Sequence, residues 1–160
     1  MSNDPRVHHD VTTANIESTM RTITGINLWI VRVSGTMQLL LGILFWSGHA
    51  YQYLPLHIAN GIVIVLTLWT AAVVALIART RRGLAVFGLL WGLALPAFGM
   101  AQATLLLGSR HWIVRVTHLV MGLAAMGIVG TLGQAVLAAL PARVRQTNRA
   151  ASAVAPGRAP

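Results

Sequence analysis

Two histidines stand inside apolar runs in the same local pattern, His57-Ile-Ala-Asn-Gly61 and His118-Leu-Val-Met-Gly122. An ionisable side chain at membrane depth is costly to place and is therefore a candidate functional group. A neutral imidazole nitrogen is a good metal ligand. Glycine four residues later lies one helical turn along the same face, where it removes the side chain that would crowd a group bound at the histidine. One histidine of this kind is most simply a packed residue bonded to a backbone carbonyl or a hydroxyl. Two of them, each followed by glycine, point to shared metal ligation by His57 and His118, with Gly61 and Gly122 lining the space.

Arg115 lies one turn before His118, and His111, Arg115, His118 and Gly122 follow at helical spacings that put them on one face. A guanidinium in or near a membrane span needs an anionic partner. The acids of the chain, Asp4, Asp10 and Glu17, all precede the apolar runs, so that anion must come from outside the sequence. Iron carried in haem satisfies both requirements, since imidazoles bind the metal and a propionate can meet Arg115. Lipid phosphate is the alternative partner for Arg115 and the expected one for Arg32. His8, His9, His49 and His111 fall in the tail or outer loops and are expected to be solvated, with His111 a weaker candidate for a propionate or edge contact. Without Asp, Glu, Lys or Cys in the apolar region there is no carboxylate dyad, Schiff-base lysine or thiol nucleophile. Redox work by a bound cofactor remains open.

The elements that position these residues follow from composition. The chain has 160 residues, of which 56% are hydrophobic and 9% charged, and its mean hydropathy is +0.69. These values lie outside the range of ordinary soluble domains. Apolar stretches at about Ile26 to Trp46, Leu56 to Ala78, Leu84 to Leu107 and Trp112 to Leu140 each match the roughly 20 helical residues needed to cross a bilayer core. Helices satisfy their own backbone groups in lipid, and the pattern lacks the alternation of a barrel. The net charge of +9 comes from arginines flanking these runs, so no nucleic-acid partner is expected and membrane lipid is. Arg79, Arg81 and Arg82 between spans two and three, and Arg143, Arg145, Arg149 and Arg158 after span four, put both segments inside by the positive-inside rule. Trp46, Tyr51, Tyr53 and Trp112 fit an outer aromatic belt. The expected organisation is a polar cytoplasmic tail over 1–25, a transmembrane bundle over 26–140 and a disordered basic cytoplasmic tail over 141–160. The polar 25 residues before the first span do not resemble a cleavable signal, so that span is expected to stay. A bacterial inner membrane is the expected location.

The two halves share further features. Span one has Gly35-Thr-Met-Gln38 followed by Leu-Leu-Leu-Gly42, and span three has Gly99-Met-Ala-Gln102 followed by Leu-Leu-Leu-Gly108. Each half thus reads as a hairpin with Gly-x-x-Gln on its first helix and His-x-x-x-Gly on its second. The expected fold is all-α, an up-down-up-down four-helix bundle of two parallel hairpin repeats. Helices two and four would then lie diagonally opposite, with His57 and His118 facing across the core. Gly88, Gly92 and Gly99 form a stripe on span three that permits close helix packing or leaves room for a flat group.

The interval from His57 to His118, the Gln102–Gly108 segment and Thr117-His118-Leu119 followed by Gly122 resemble one half of the haem A synthase family, over roughly residues 28 to 138. The resemblance implies a haem held by His57 and His118 on the outer side. Members of that family carry, in their catalytic half, a glutamate shortly before the second-helix histidine, and many carry a cysteine pair in the first outer loop. This chain has Leu54, Pro55 and Leu56 before His57, and it has no cysteine, so it looks more like the half that holds haem b. The function so indicated is that of a membrane cytochrome b-like protein in electron transfer, or of a haem-bearing partner to an oxidase or haem-modifying enzyme. A half-length synthase-like enzyme acting as a homodimer is one alternative. A scaffold, assembly factor or small-solute carrier without haem is the other.

Overall fold

The computed structural model describes the backbone of residues 5–48 and 51–154 and the side chains of residues 15–48 and 51–140. Every regular element among them is helical: α1 Pro5–Trp46, α2 Leu54–Ile77, α3 Arg82–Ala101 and α4 His111–Val154, with short 3₁₀ turns at Tyr51–Tyr53 and Gly108–Arg110. The segments long and apolar enough to cross a membrane are Asn15–Trp46, Tyr51–Ile77, Arg82–Ala101 and Gly108–Leu140. Helices α2 and α4 each pack against all three of the others.

Polarity is distributed as in a protein whose solvent is lipid. Trp29, Ile43, Leu90 and Leu93 are exposed, whereas Asn27, Ser34, Asn60 and Thr67 are buried. A soluble domain would reverse that arrangement. The central layer joins Ile64, Leu68, Ala72 and Ala75 of α2 to Ala125, Val129, Leu132 and Val136 of α4, with Leu28 and Val31 of α1 and Ala85 and Leu95 of α3 against them. Small residues set the helix spacing. A Cβ on Gly88 would meet Ile128 and Leu68 at 3.3 and 3.4 Å, and one on Gly92 would collide with the Trp69 indole. That indole donates to the Leu89 carbonyl (3.2 Å) and Trp91 Nε1 donates to the Met121 carbonyl (3.1 Å), tying α2 to α3 and α3 to α4.

Pro55 sits in the first turn of α2, where its missing N–H is not needed. After Ile77 the chain turns sharply. Thr80 N–H reaches the Ala75 carbonyl and Arg79 N–H the Leu76 carbonyl, each at 3.0 Å, with Arg79 at φ 53°, a Schellman-type ending that usually takes glycine. Two helix ends differ from the sequence expectation. Helix α3 runs through Pro96 and stops at Ala101 rather than Leu107, and beyond it Leu106 and Gly108 take positive φ. Leu105 to Gly108 therefore form a turn, whereas Leu39 to Gly42 are helical. Helix α4 continues past Leu140 to Val154, where an unfolded tail was expected. Alanine and arginine make up half of residues 141–154, and their helix propensity carries the backbone on.

Candidate functional site

All four helices contribute to a polar cluster around the two histidines. His57 lies in the first turn of α2 and His118 about two turns into α4, roughly 10 Å along the helix. Their ring centroids are 6.3 Å apart, with planes inclined at 42°. Phe45 of α1 meets His57 edge-on at 5.2 Å, and Phe98 of α3 stacks on His118 at 6.1 Å. These contacts fix the ring planes from outside the pair.

A chain of amides holds His57. Asn60, one turn along α2, donates through Nδ2 to the Ser34 carbonyl (2.8 Å) and to Gln38 Oε1 (2.7 Å). Gln38 Nε2 in turn donates to the His57 carbonyl (3.2 Å) and lies 3.0 Å from His57 Nε2. The Nδ1 atoms of both histidines are buried and have no hydrogen-bond partner among the described residues. A buried polar nitrogen without a partner is costly, and costlier still in lipid.

The donor set narrows what could bind. No group of three or more His, Cys, Asp or Glu is found among the described residues, so the tetrahedral protein cage of a structural zinc site is lacking. Haem iron brings four nitrogens of its own and needs only axial ligands. A ring nitrogen lies about 1.1 Å from its centroid and bonds a metal at about 2.0 Å, so two imidazoles on opposite sides of one ion have centroids about 6.2 Å apart. The observed 6.3 Å is compatible with that separation and is equally an ordinary ring-contact distance, since Phe98 and His118 lie 6.1 Å apart. Gln38 competes with such binding, because it occupies His57 Nε2.

Of the residues singled out in the sequence, His57 and His118 are brought together and the others are arranged differently. The space a Cβ would fill at Gly61 faces Gln38 Nε2 at 3.4 Å, while nothing lies within 4 Å of that position at Gly122. It is Gly99 of α3 that abuts His118, its Cβ position 3.3 Å from Cε1. Arg115 is exposed and makes no hydrogen bond or ion pair among the described residues. The inward face of α4 is centred instead on Val114, Ala125 and Val129. His111 Nδ1 donates to the Leu105 carbonyl at 3.2 Å and closes the α3–α4 turn. His49 and the side chains of His8 and His9 lie outside the described residues.

Gln38, Asn60, Phe45 and Phe98 were not among the expected site residues. The signal for the first two was present, since Gln38 closes the Gly-x-x-Gln pattern and Asn60 lies one turn from His57. No hydrogen bond joins Gln102, the counterpart of Gln38, to His118 among the described residues. Comparison with family models, with curated proteins and with solved structures finds no match to this chain.

Proposed function

We propose that this chain is a membrane cytochrome b-like protein, an up-down-up-down bundle of two parallel hairpins whose His57 and His118 are the axial ligands of haem b. The observation that carries this function is the pair of imidazoles on α2 and α4, ring centroids 6.3 Å apart, within helices long and apolar enough to cross a membrane. Both termini and the Arg79–Arg82 turn lie on the cytoplasmic side of a bacterial inner membrane, as the arginine distribution favours. When bound, haem supplies a one-electron couple; its partner is an oxidase or a haem-modifying enzyme, or a second copy of this chain. His57 and His118 would hold the iron, Phe45 and Phe98 would orient the two imidazoles, and the surrounding apolar core would exclude water. Arg115 faces outward near the same level and is available to a propionate or to lipid phosphate.

The Gln38–His57 hydrogen bond favours a second function, that of a scaffold, assembly factor or small-solute carrier whose histidines belong to a haem-free polar network. A visible spectrum of protein expressed with ample haem, oxidised and then reduced with dithionite, separates the two. Two axial imidazoles predict six-coordinate, low-spin iron with a sharp reduced alpha band and little affinity for carbon monoxide. His57→Ala and His118→Ala should each lose most haem or leave it five-coordinate and able to bind carbon monoxide. His49→Ala and His111→Ala should leave the spectrum nearly unchanged. Wild-type protein without Soret absorption would reject haem ligation and leave the polar network.

A further inference from the structure

We infer that Gln38, held by Asn60, is a positioning residue that keeps His57 in its Nδ1–H tautomer and closes the Nε2 lone pair when haem is absent. Asn60 Nδ2 faces the Ser34 carbonyl, which can only accept, so the amide nitrogen of Asn60 is assigned by the backbone. The same Nδ2 donates to Gln38 Oε1, so the other end of the Gln38 amide is its NH₂. That NH₂ also meets the His57 carbonyl, a second and independent constraint of the same sense. A flipped Gln38 would set its oxygen against that carbonyl and its nitrogen against the Asn60 donor. Gln38 therefore donates to His57 Nε2, and a neutral imidazole that accepts at Nε2 carries its proton on Nδ1. Gly61 lies beside the amide, where a Cβ would be in van der Waals contact with Gln38 Nε2 at 3.4 Å.

The consequence for the site is asymmetry. No hydrogen bond to a side chain holds His118 among the described residues, whereas an Nε2 bond from His57 to a metal must displace Gln38. An Nδ1 bond would require the opposite tautomer and reversal of the whole amide chain. Gln38 is thus a latch on one of the two ligands. The tautomer follows from the hydrogen bonds alone; the latch rests also on haem ligation as proposed above.

The test is ¹⁵N NMR of the full-length, haem-free chain in micelles, at a pH well above the ordinary imidazole value, with the His57 signals assigned by comparison with His57→Ala. Wild-type protein should show His57 protonated on Nδ1 and unprotonated on Nε2. Gln38→Met, which keeps the length of the side chain and removes the donor, should shift His57 toward the Nε2–H form that an unconstrained histidine side chain prefers, while His118 stays unchanged. An Nε2–H tautomer in the wild type overturns the inference without need of any variant, and so does a Gln38→Met spectrum that leaves His57 as it was. In a haem titration Gln38→Met should bind about tenfold more tightly, the equivalent of one buried hydrogen bond. Equal affinity overturns the latch. Absence of haem binding in both proteins overturns haem ligation and the latch with it, and the NMR result then decides the tautomer by itself.

Discussion

At the scale of single residues, what each side chain meets differs from what its type suggests. Gly122 and Gly99 make a matched pair. A methyl group at Gly122 meets nothing within 4 Å, whereas at Gly99 it would stand 3.3 Å from His118 Cε1. Gly122→Ala should leave the melting temperature unchanged or raise it, by up to about 1 kcal/mol of helix propensity. Gly99→Ala should displace the His118 ring, read as a change in its NMR resonances or in the haem spectrum. Arg115 is exposed, so Arg115→Leu should leave the helices inserted and thermal stability within about 0.5 kcal/mol of wild type. If Arg115 meets a propionate, the same change should weaken haem retention or lower the reduction potential, because removing a nearby positive charge favours the more positive, oxidised iron. Arg32→Leu is the control and should affect neither. Haem content and potential unchanged in Arg115→Leu would assign that guanidinium to lipid.

At the scale of elements, packing between α2 and α3 depends on the absence of a side chain. The Trp69 indole fills the space beside Gly92 while its N–H reaches the Leu89 carbonyl. Gly92→Ala must push the indole away and weaken that hydrogen bond, which should cost about 1–3 kcal/mol. Unfolding in detergent followed by tryptophan fluorescence measures this loss; an unchanged midpoint would mean that α3 shifts as a body at little cost. Helix α3 is also where local sequence misleads. Its apolar run continues to Leu107, and length and hydropathy alone extend the helix there. The helix passes Pro96 and ends at Ala101, and positive φ at Leu106 and Gly108 turns the chain before the run ends. The two Leu-Leu-Leu-Gly stretches thus look alike in sequence and differ in structure.

At the scale of the whole molecule, the arginine-rich turn between α2 and α3 and the arginines after Leu140 carry the topological prediction. Reporter fusions at Arg81 and after Arg145 should behave as cytoplasmic and one at Tyr51 as external. An external Arg81 would invert the bundle and put the histidine pair near the cytoplasmic face. The buried polar residues Thr24, Asn27, Ser34, Asn60 and Thr67 all belong to α1 and α2, and Asn27 Nδ2 donates to the Thr67 carbonyl at 2.9 Å. Helices α1 and α2 are therefore joined by side-chain hydrogen bonds to backbone and to other side chains, whereas α3 and α4 meet through glycine, methyl groups, the Phe98–His118 ring contact and one indole N–H. Likeness of pattern between the halves does not extend to how each hairpin is held.

Four membrane-length helices and two histidines inside them were legible in the sequence, because span length and apolar composition are properties of each segment and need no partner. The pairing of His57 with His118 was also an expectation from spacing, and the structure sets the two rings side by side. What the chain alone left undetermined is the rotation of each helix about its axis. In lipid the outward and inward faces are both apolar, so hydropathy marks the span and barely marks its face. For that reason Arg115 could be placed beside His118 by spacing and yet be exposed, and the neighbour of Gly61 across the helix interface, Gln38, could not be read from spacing. The hold of Asn60 and Gln38 on His57 depends on α1 and α2 meeting at one rotation and one depth. Only the packed bundle decides that, through the close contacts its small residues allow and the buried amides that must find partners.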